Sequence, residues 1–513
     1  MAVSKPDDKP SRKPDIPSFD ERWYVVKMQD PKTKEYGTCG YMHSVSRHVG
    51  DEMHTQMKTK IAIHRGTAKV EMLQDQSYVE SIDGRPLSFR FVSAIGKAPE
   101  TLVGIIKGDK LRLTVEQYGQ QKENAEYDFD PEIRFPWGQM LLQQSIGTKP
   151  GTTYIVKSYE PAFSRDSAVM LKCKVIGPEM QELLGRQVEL TRISTAMTLN
   201  GGKVAGMNAD LLKGMEIESD TWVDAELTPQ IMTVNMGIMQ MRMYQTTKEE
   251  AMERGAPPEM FLETFVTTNR KIGKGASKVV LRLTLKPDAK GPMPELPNTP
   301  MQTVERISDR ELVVTLTRND WARAKSVKKN PEPSGDMERY LAASSVCDAR
   351  DAKIRRLARR TVRGLNTPAE KAGALREFVT EFITDKNMDV GFATASDVVR
   401  NRAGDCTEHG VLLAALCRAA GLPARGVSGI VEIPPGPFAL KNKSAFGYHM
   451  WTQVYIDGQW LDIDAALRET DCEPARVALA LMPLGDEGFI QTIASLIPML
   501  GQLEIQVEEV VKN

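Results

Sequence analysis

Residues 402–425 read RAGDCTEHGVLLAALCRAAGLPAR, and the rest of the chain is best understood outward from them. Asp405 is a good N-cap, and Glu408 three residues later can reach back to it as in a capping box. From Val411 to Ala420 the sequence is apolar nearly all round, which predicts a buried helix, and Gly421 and Pro423 supply its stop. Cys406 therefore stands at the first turn of that helix. Unpaired N–H groups and the positive end of the helix dipole favour a thiolate there, and the same N–H groups can donate to a developing oxyanion. Gly404, just before, would let a substrate carbonyl approach the backbone closely. The plainer reading makes Cys406 a small buried side chain, as most lone cysteines are. Cys417 fits that reading: it lies on nearly the same face but about 16 Å further along the axis, and is expected in the core.

A second stretch, YHMWTQVYIDGQWLDIDAAL (448–467), holds two alternating runs around Asp457-Gly458, a strong hairpin-turn signal. Counting outward from that turn pairs Ile456 with Gln459, Tyr455 with Trp460, Gln453 with Asp462, and Trp451 with Asp464. His449, Trp451, Gln453 and Tyr455 then share one face with Trp460, Asp462 and Asp464. His449 and Asp464 become diagonal neighbours, within roughly 7–8 Å between backbone positions. Asp462 lies about 13 Å along the strand from His449, so spacing selects Asp464. Met450, Val454, Leu461 and Ile463 take the opposite face. A solvated polar pair is the bland alternative, but Trp451 and Trp460 make the histidine face apolar, as around an oriented base in a partly dry site. Trp451 is accordingly counted with Gly404 among the residues shaping the site. His409, three residues after Cys406, is a rival base with no acid placed to orient it. Zinc on Cys406, His449 and Asp464 is a weaker rival, since structural zinc sites usually offer four ligands with a close-spaced pair.

Taken together, GDCTEHGVLLAALCRAAGLPAR and YHMWTQVYIDGQWLDID resemble the Cys helix and the His and Asp strands of the transglutaminase-like superfamily, in that family's chain order. The wording GDCTEH and the tail from WLDIDAAL to LEIQVEEV are similar to its bacterial members. The resemblance covers about Asp336 to Glu508 and implies a papain-like core in which the Cys helix packs on an antiparallel sheet. It implies that Cys406 is the nucleophile, His449 the base and Asp464 the residue orienting it. Many relatives have Pro-Thr after the acid where this chain has Ala465-Ala466, a departure expected to alter the strand end but not the carboxylate.

At 513 residues the chain should hold two or three domains, and its 41% hydrophobic and 26% charged residues are those of a soluble globular protein. A formal charge of -1 with dispersed Lys and Arg argues against nucleic-acid binding. No apolar stretch is long enough to span a membrane. Six dispersed cysteines without a CxxC pair offer no zinc ribbon or redox motif. No metal, cofactor or dedicated calcium site is expected.

The expected fold is α+β, an antiparallel β-rich region followed by the papain-like core. Residues 1–20 read as a disordered tether, which suits an exported protein or a cytoplasmic one equally. Residues 21–285 alternate as strands, 286–300 form a Pro-rich linker, 301–335 a strand and connector, and 336–513 the catalytic domain. The methionine-rich run 227–245 is expected to be sheet core, with an adaptable binding surface as the alternative. His43, His48, His54 and His64 read as surface or turn residues. ARDAKIRRLARRTVRGL (349–365) predicts an amphipathic helix, and Thr367-Pro368-Ala369-Glu370 a helix start with a capping box.

The function that follows is a thiol acyltransferase or hydrolase acting on protein or peptide amides through a thioester, transglutaminase-type. A cysteine protease or glutamine deamidase with the same triad is the near alternative. An inactive binding or scaffold protein using the β-rich region is the distant one.

Overall fold

The structure is a computed structural model. It describes residues 19–512 except 31–32, 66–67, 96–97, 118–119, 162–166, 199–215, 237–238, 254, 256–264, 288, 290–291, 331–334, 345, 387–392, 434–442 and 486–500. Nearly all of the expected tether lies outside the described residues.

Alternation of apolar and polar residues builds the first half of the chain. In Lys110–Gln117, for example, Leu111, Leu113 and Val115 are buried while Arg112 and Glu116 are exposed. Fourteen such strands form one antiparallel sheet. The first eight meander outward from Phe19–Gln29 to Gln120–Asp128, and the last six return from Thr153–Ser158 to Met239–Thr246, which pairs with Phe19–Gln29. A parallel bridge between Ile133 and Lys157 ties the chain just beyond one outer strand to the other outer strand. Phe89, Phe91, Leu113 and Phe135 pack together in its core. The helix Pro136–Ile146 is held there by Glu80, whose carboxyl accepts from Trp137 N–H and Gly138 N–H at 2.8 Å each. The methionine-rich run forms two strands in which Ile231 is fully buried, whereas Met241 and Met243 pack half-buried against Val26 and Met28. His43 and His54 pair with Glu21 and Glu52 on the surface.

Two sheets and a helical layer make up the rest. Ala445–Ile456 sits between Ala424–Glu432 on one side and, on the other, Val266–Thr267 followed by Gln459–Ile463; Arg476–Met482 lies beyond Ala424–Glu432. A four-stranded sheet has the order Gln302–Ser308, Glu311–Thr317, Ala276–Leu285, Leu503–Lys512. The Pro-rich stretch was expected to separate domains, but the strands flanking it, Ala276–Leu285 and Gln302–Ser308, belong to this same sheet. We propose that residues 276–285 belong with the C-terminal assembly and that the chain divides before Val266.

Phe446 and Tyr448 pack towards the four-stranded sheet, while Met450 and Val454, on the same strand face, pack under the Cys helix. That helix, Cys406–Ala419, is buried from Thr407 to Arg418, as its all-round apolar sequence predicts. The capping boxes at Thr367 and Asp405 are both formed, and the amphipathic segment is helical over Ala352–Thr361. Among the described residues no helix is long and apolar enough to cross a membrane.

Candidate active site

Cys406 is the first residue of its helix and is half-buried. Asp405 caps the turn, its Oδ1 accepting from Thr407 N–H at 2.8 Å, and Glu408 Oε2 accepts from Asp405 N–H at 2.9 Å. As the first residue of the helix, Cys406 has no hydrogen-bond acceptor for its N–H among the described residues.

The hairpin folds in the register counted from its turn. Asp457 and Gly458 both have positive φ, 47° and 80°, and Ile456–Gln459, Tyr455–Trp460 and Gln453–Asp462 are paired. The ladder ends at Thr452–Ile463, one pair short of the expected Trp451–Asp464. Asp464 instead opens a tight loop, exchanging backbone hydrogen bonds with Glu469. Its side chain still reaches the histidine: His449 Nε2–H donates to Asp464 Oδ2 at 2.8 Å. Cys406 lies close enough to the same imidazole to act on its basicity. With Nε2 committed to Asp464, Nδ1 is the ring nitrogen left for the sulfur. Asp462 points elsewhere and accepts from Trp451 Nε1 and Gln453 Nε2, both at 2.8 Å.

Charges in this line reinforce one another. Burial pulls His449 down, but the Asp464 carboxylate, the charge on Cys406 and the hydrogen bond to Asp464 outweigh it and raise the imidazole to about 10. Burial lifts Asp464, yet His449 and then Arg476 hold it well below the usual carboxylate range.

Residues 355–465, which include Cys406, His449 and Asp464, match the Transglutaminase-like superfamily. This segment is a transglutaminase-like core. A solved protein from Cytophaga hutchinsonii, provisionally described as a cysteine protease, is 16% identical over 48% of this chain and 91% of its own, with a TM-score of 0.29. The periplasmic domain of TgpA from Pseudomonas aeruginosa is 20% identical over 37% of this chain and 70% of its own, with a TM-score of 0.25. A β-barrel-like protein of unknown function from Brucella abortus is 14% identical over 44% of this chain and 95% of its own, with a TM-score of 0.34. No curated protein matches the chain.

Within the transglutaminase-like core, two residues read as shaping the substrate site do something else. A Cβ on Gly404 would stand 2.3 Å from Glu408 Cβ, and its φ is 148°. The glycine makes room for the Glu408 side chain. Trp451 is 1% exposed and out of substrate's reach. Its indole stacks beside His449 with ring centroids 6.5 Å apart, and the Arg476 guanidinium lies 5.4 Å from its centroid. Gly429, opposite His449 in the ladder, admits this indole, since a Cβ there would come within 2.7 Å of the ring.

Arg476 was missed. Its Nη1 donates to Asp464 Oδ2 at 3.1 Å, its Nη2 donates to Glu469, and its side chain is 6% exposed. The one local signal was a lone arginine opening the apolar run RVALALM (476–482). His409 is buried, with Nδ1–H donating to the Asp405 carbonyl at 2.6 Å. Burial lowers its basicity, and among the described residues no carboxylate hydrogen-bonds its ring. Cys417 is fully buried, as expected, and burial pushes its thiol up. Among the described residues no group of three potential ligands could hold a metal ion.

Proposed function

We propose that this protein is a thiol acyltransferase or hydrolase acting on protein or peptide amides, with Cys406 as nucleophile, His449 as acid and base, and Asp464 as its orienting partner. What supports the reading is the hydrogen bond from His449 to Asp464, with Cys406 at the first turn of its helix close enough to act on the same imidazole.

The Cys406 thiolate attacks an amide carbon, a C–S bond forms, and the carbonyl electrons move onto oxygen. The free Cys406 N–H donates to that oxyanion. As the C–N bond breaks, the His449 imidazolium gives its proton to nitrogen and the amine leaves, with a thioester remaining. Water or a primary amine then attacks the thioester carbon, neutral His449 takes the incoming proton, and sulfur departs as thiolate. The starting charges are restored. A lysine amine as acceptor gives an isopeptide cross-link. Water gives deamidation when the substrate is a glutamine side chain, and cleavage when it is a backbone amide. Transfer is the first reading and hydrolysis the second.

Incubating the purified protein with a glutamine-donor peptide, with and without a labelled primary amine, separates these outcomes. Amine incorporation lost in Cys406→Ala supports transfer, ammonia release alone supports deamidation, and a cut backbone supports proteolysis. No Cys406-dependent product from a broad peptide set would leave the protein as a binding scaffold instead.

A further inference from the structure

The chain is almost neutral as a whole, but its charge is unevenly placed. Residues 353–363 hold six cations, Lys353, Arg355, Arg356, Arg359, Arg360 and Arg363, and no carboxylate. The segment therefore stands at +6, and the rest of a chain with formal charge -1 carries -7. All six cations are exposed, and among the described residues none has a carboxylate partner. Asp351, just before them, caps the helix Ala352–Thr361, its Oδ1 accepting from Lys353 N–H at 2.8 Å and Ile354 N–H at 3.1 Å. Carboxylates on the neighbouring helices are held elsewhere: Glu370 by Asn366 and Thr367 N–H, Glu377 by Arg376, and Asp397 by Arg400.

At about 100° per residue, Lys353, Arg355, Arg356, Arg359 and Arg360 fall within one arc of roughly 160°. The opposite arc is core: Ile354 and Ala358 are fully buried, and Leu357 and Val362 pack against the same cluster. The helix lies along Pro368–Phe382, Ala395–Asn401 and Cys406–Ala419, which fix it with its charged side outward. Helix stability does not account for these charges. Lys353 and Arg355 stand near the positive end of the dipole, where an acid is favourable and the first turn has none. Arg355 and Arg359, like Arg356 and Arg360, are like charges four residues apart, which repel. An anionic surface laid against the arc removes that repulsion.

The kind of anion follows from shape. A duplex major groove takes a helix that projects from its domain, whereas this one is packed along its inner side. Single strands are held by stacking on aromatic rings, and residues 353–363 contain none. A firmly seated surface helix with a basic outer face fits a layer of anionic headgroups. We propose that this face docks the protein on a membrane surface rich in anionic phospholipid. The arginine stems lie along the interface with their guanidinium groups on headgroup phosphates, while the apolar side of the helix stays in the protein core. The inference is independent of the chemistry at Cys406.

Co-sedimentation of the full chain with vesicles of phosphatidylcholine, alone or mixed with phosphatidylglycerol, tests it. Binding to the mixed vesicles is expected to be tighter by about tenfold or more, and to weaken as salt rises. Arg355→Gln, Arg356→Gln, Arg359→Gln and Arg360→Gln combined should lower it more than about a hundredfold, at roughly fivefold per charge. The melting temperature should not fall, since all four side chains are exposed. Lysine at the same four positions keeps the charge and should keep the binding. Lys107→Gln, Arg112→Gln, Lys172→Gln and Lys174→Gln combined make the same change of net charge on exposed positions of the N-terminal sheet and should leave binding unchanged. Equal binding to the two kinds of vesicle, anionic binding that survives in the folded glutamine variant, loss of binding in the lysine variant, or an equal loss in the N-terminal variant would each overturn the inference. Binding of an oligonucleotide or of polyglutamate, with none to the mixed vesicles, would give the face another partner and overturn it too.

Discussion

Asp464 is a carboxylate between two cations, and its neighbours decide how the site responds to pH. His449 Nε2 and Arg476 Nη1 both donate to its Oδ2, at 2.8 and 3.1 Å. For His449 the folded value is raised, from about 6.5 to about 10, so its contribution is complete below pH 6.5 and lost as pH rises through 10. For Asp464 the folded value is depressed, so its contribution is complete above 3.8 and lost as pH falls. The two overlap in full only between roughly pH 4 and 6.5. The stability lost in Asp464→Asn should therefore be largest in that window and shrink on both sides, as denaturant midpoints at pH 3, 5.5 and 10 would record. The same variant should lower kcat/KM by a factor on the order of 10⁴, because the imidazole loses the group that fixes its tautomer. Its alkaline limb should move down towards the ordinary histidine range. Arg476→Met leaves Asp464 buried without its second cation, and breaking such a pair costs about 3–5 kcal/mol. The midpoint should drop accordingly, and acid unfolding should begin at a higher pH than in the wild type.

At the scale of the element, what could be read in advance was what the chain decides locally. Asp457-Gly458 dictated a tight turn, and every pair from Ile456–Gln459 to Gln453–Asp462 followed by counting, which put Asp464 rather than Asp462 on His449. The capping residue and apolar run likewise announced the Cys helix. Arg476 could not be placed this way, because its strand pairs with Ala424–Glu432 and not with the strand that carries Asp462. Gly404 shows a related limit: a glycine before a nucleophile suggests open space, and the sequence gives no sign that a side chain there would meet Glu408, whose carboxyl also accepts from Ala393 N–H at 3.1 Å. Gly404→Ala should thus act on the helix start. Strain at its φ and displacement of Glu408 should cost about 1–3 kcal/mol, read from urea unfolding. Misplacing the Cys406 turn should lower kcat as well. If the alanine variant kept full stability and lost only substrate affinity, the open-space reading would be restored.

Across the whole molecule the connections are long, and there local reading stopped working. Proline-rich composition pointed to a boundary at 286–300, but Ala276–Leu285 is the inner strand between Glu311–Thr317 and Leu503–Lys512. Its last partner is the final described strand of the chain, a pairing no window of sequence can display. Val279, Leu281 and Leu283 are each fully buried in the core that this sheet shares with Ile430, Phe446 and Val477 of the sheet carrying His449. Each such side chain contributes about 1.5–3 kcal/mol on burial, and their sum is comparable with the roughly 5–15 kcal/mol that holds a domain folded. A fragment of residues 301–513 keeps Cys406, His449 and Asp464 but lacks that strand. It should fail to unfold cooperatively and should show no thiol-dependent turnover. A fragment of residues 265–513 restores the strand, and also Val266–Thr267 beside Phe446 and Ala445, and should melt in one transition. Circular dichroism melts of the two fragments decide the matter: a cooperative, active 301–513 would return the boundary to the proline-rich stretch and show that the four-stranded sheet is dispensable to the site.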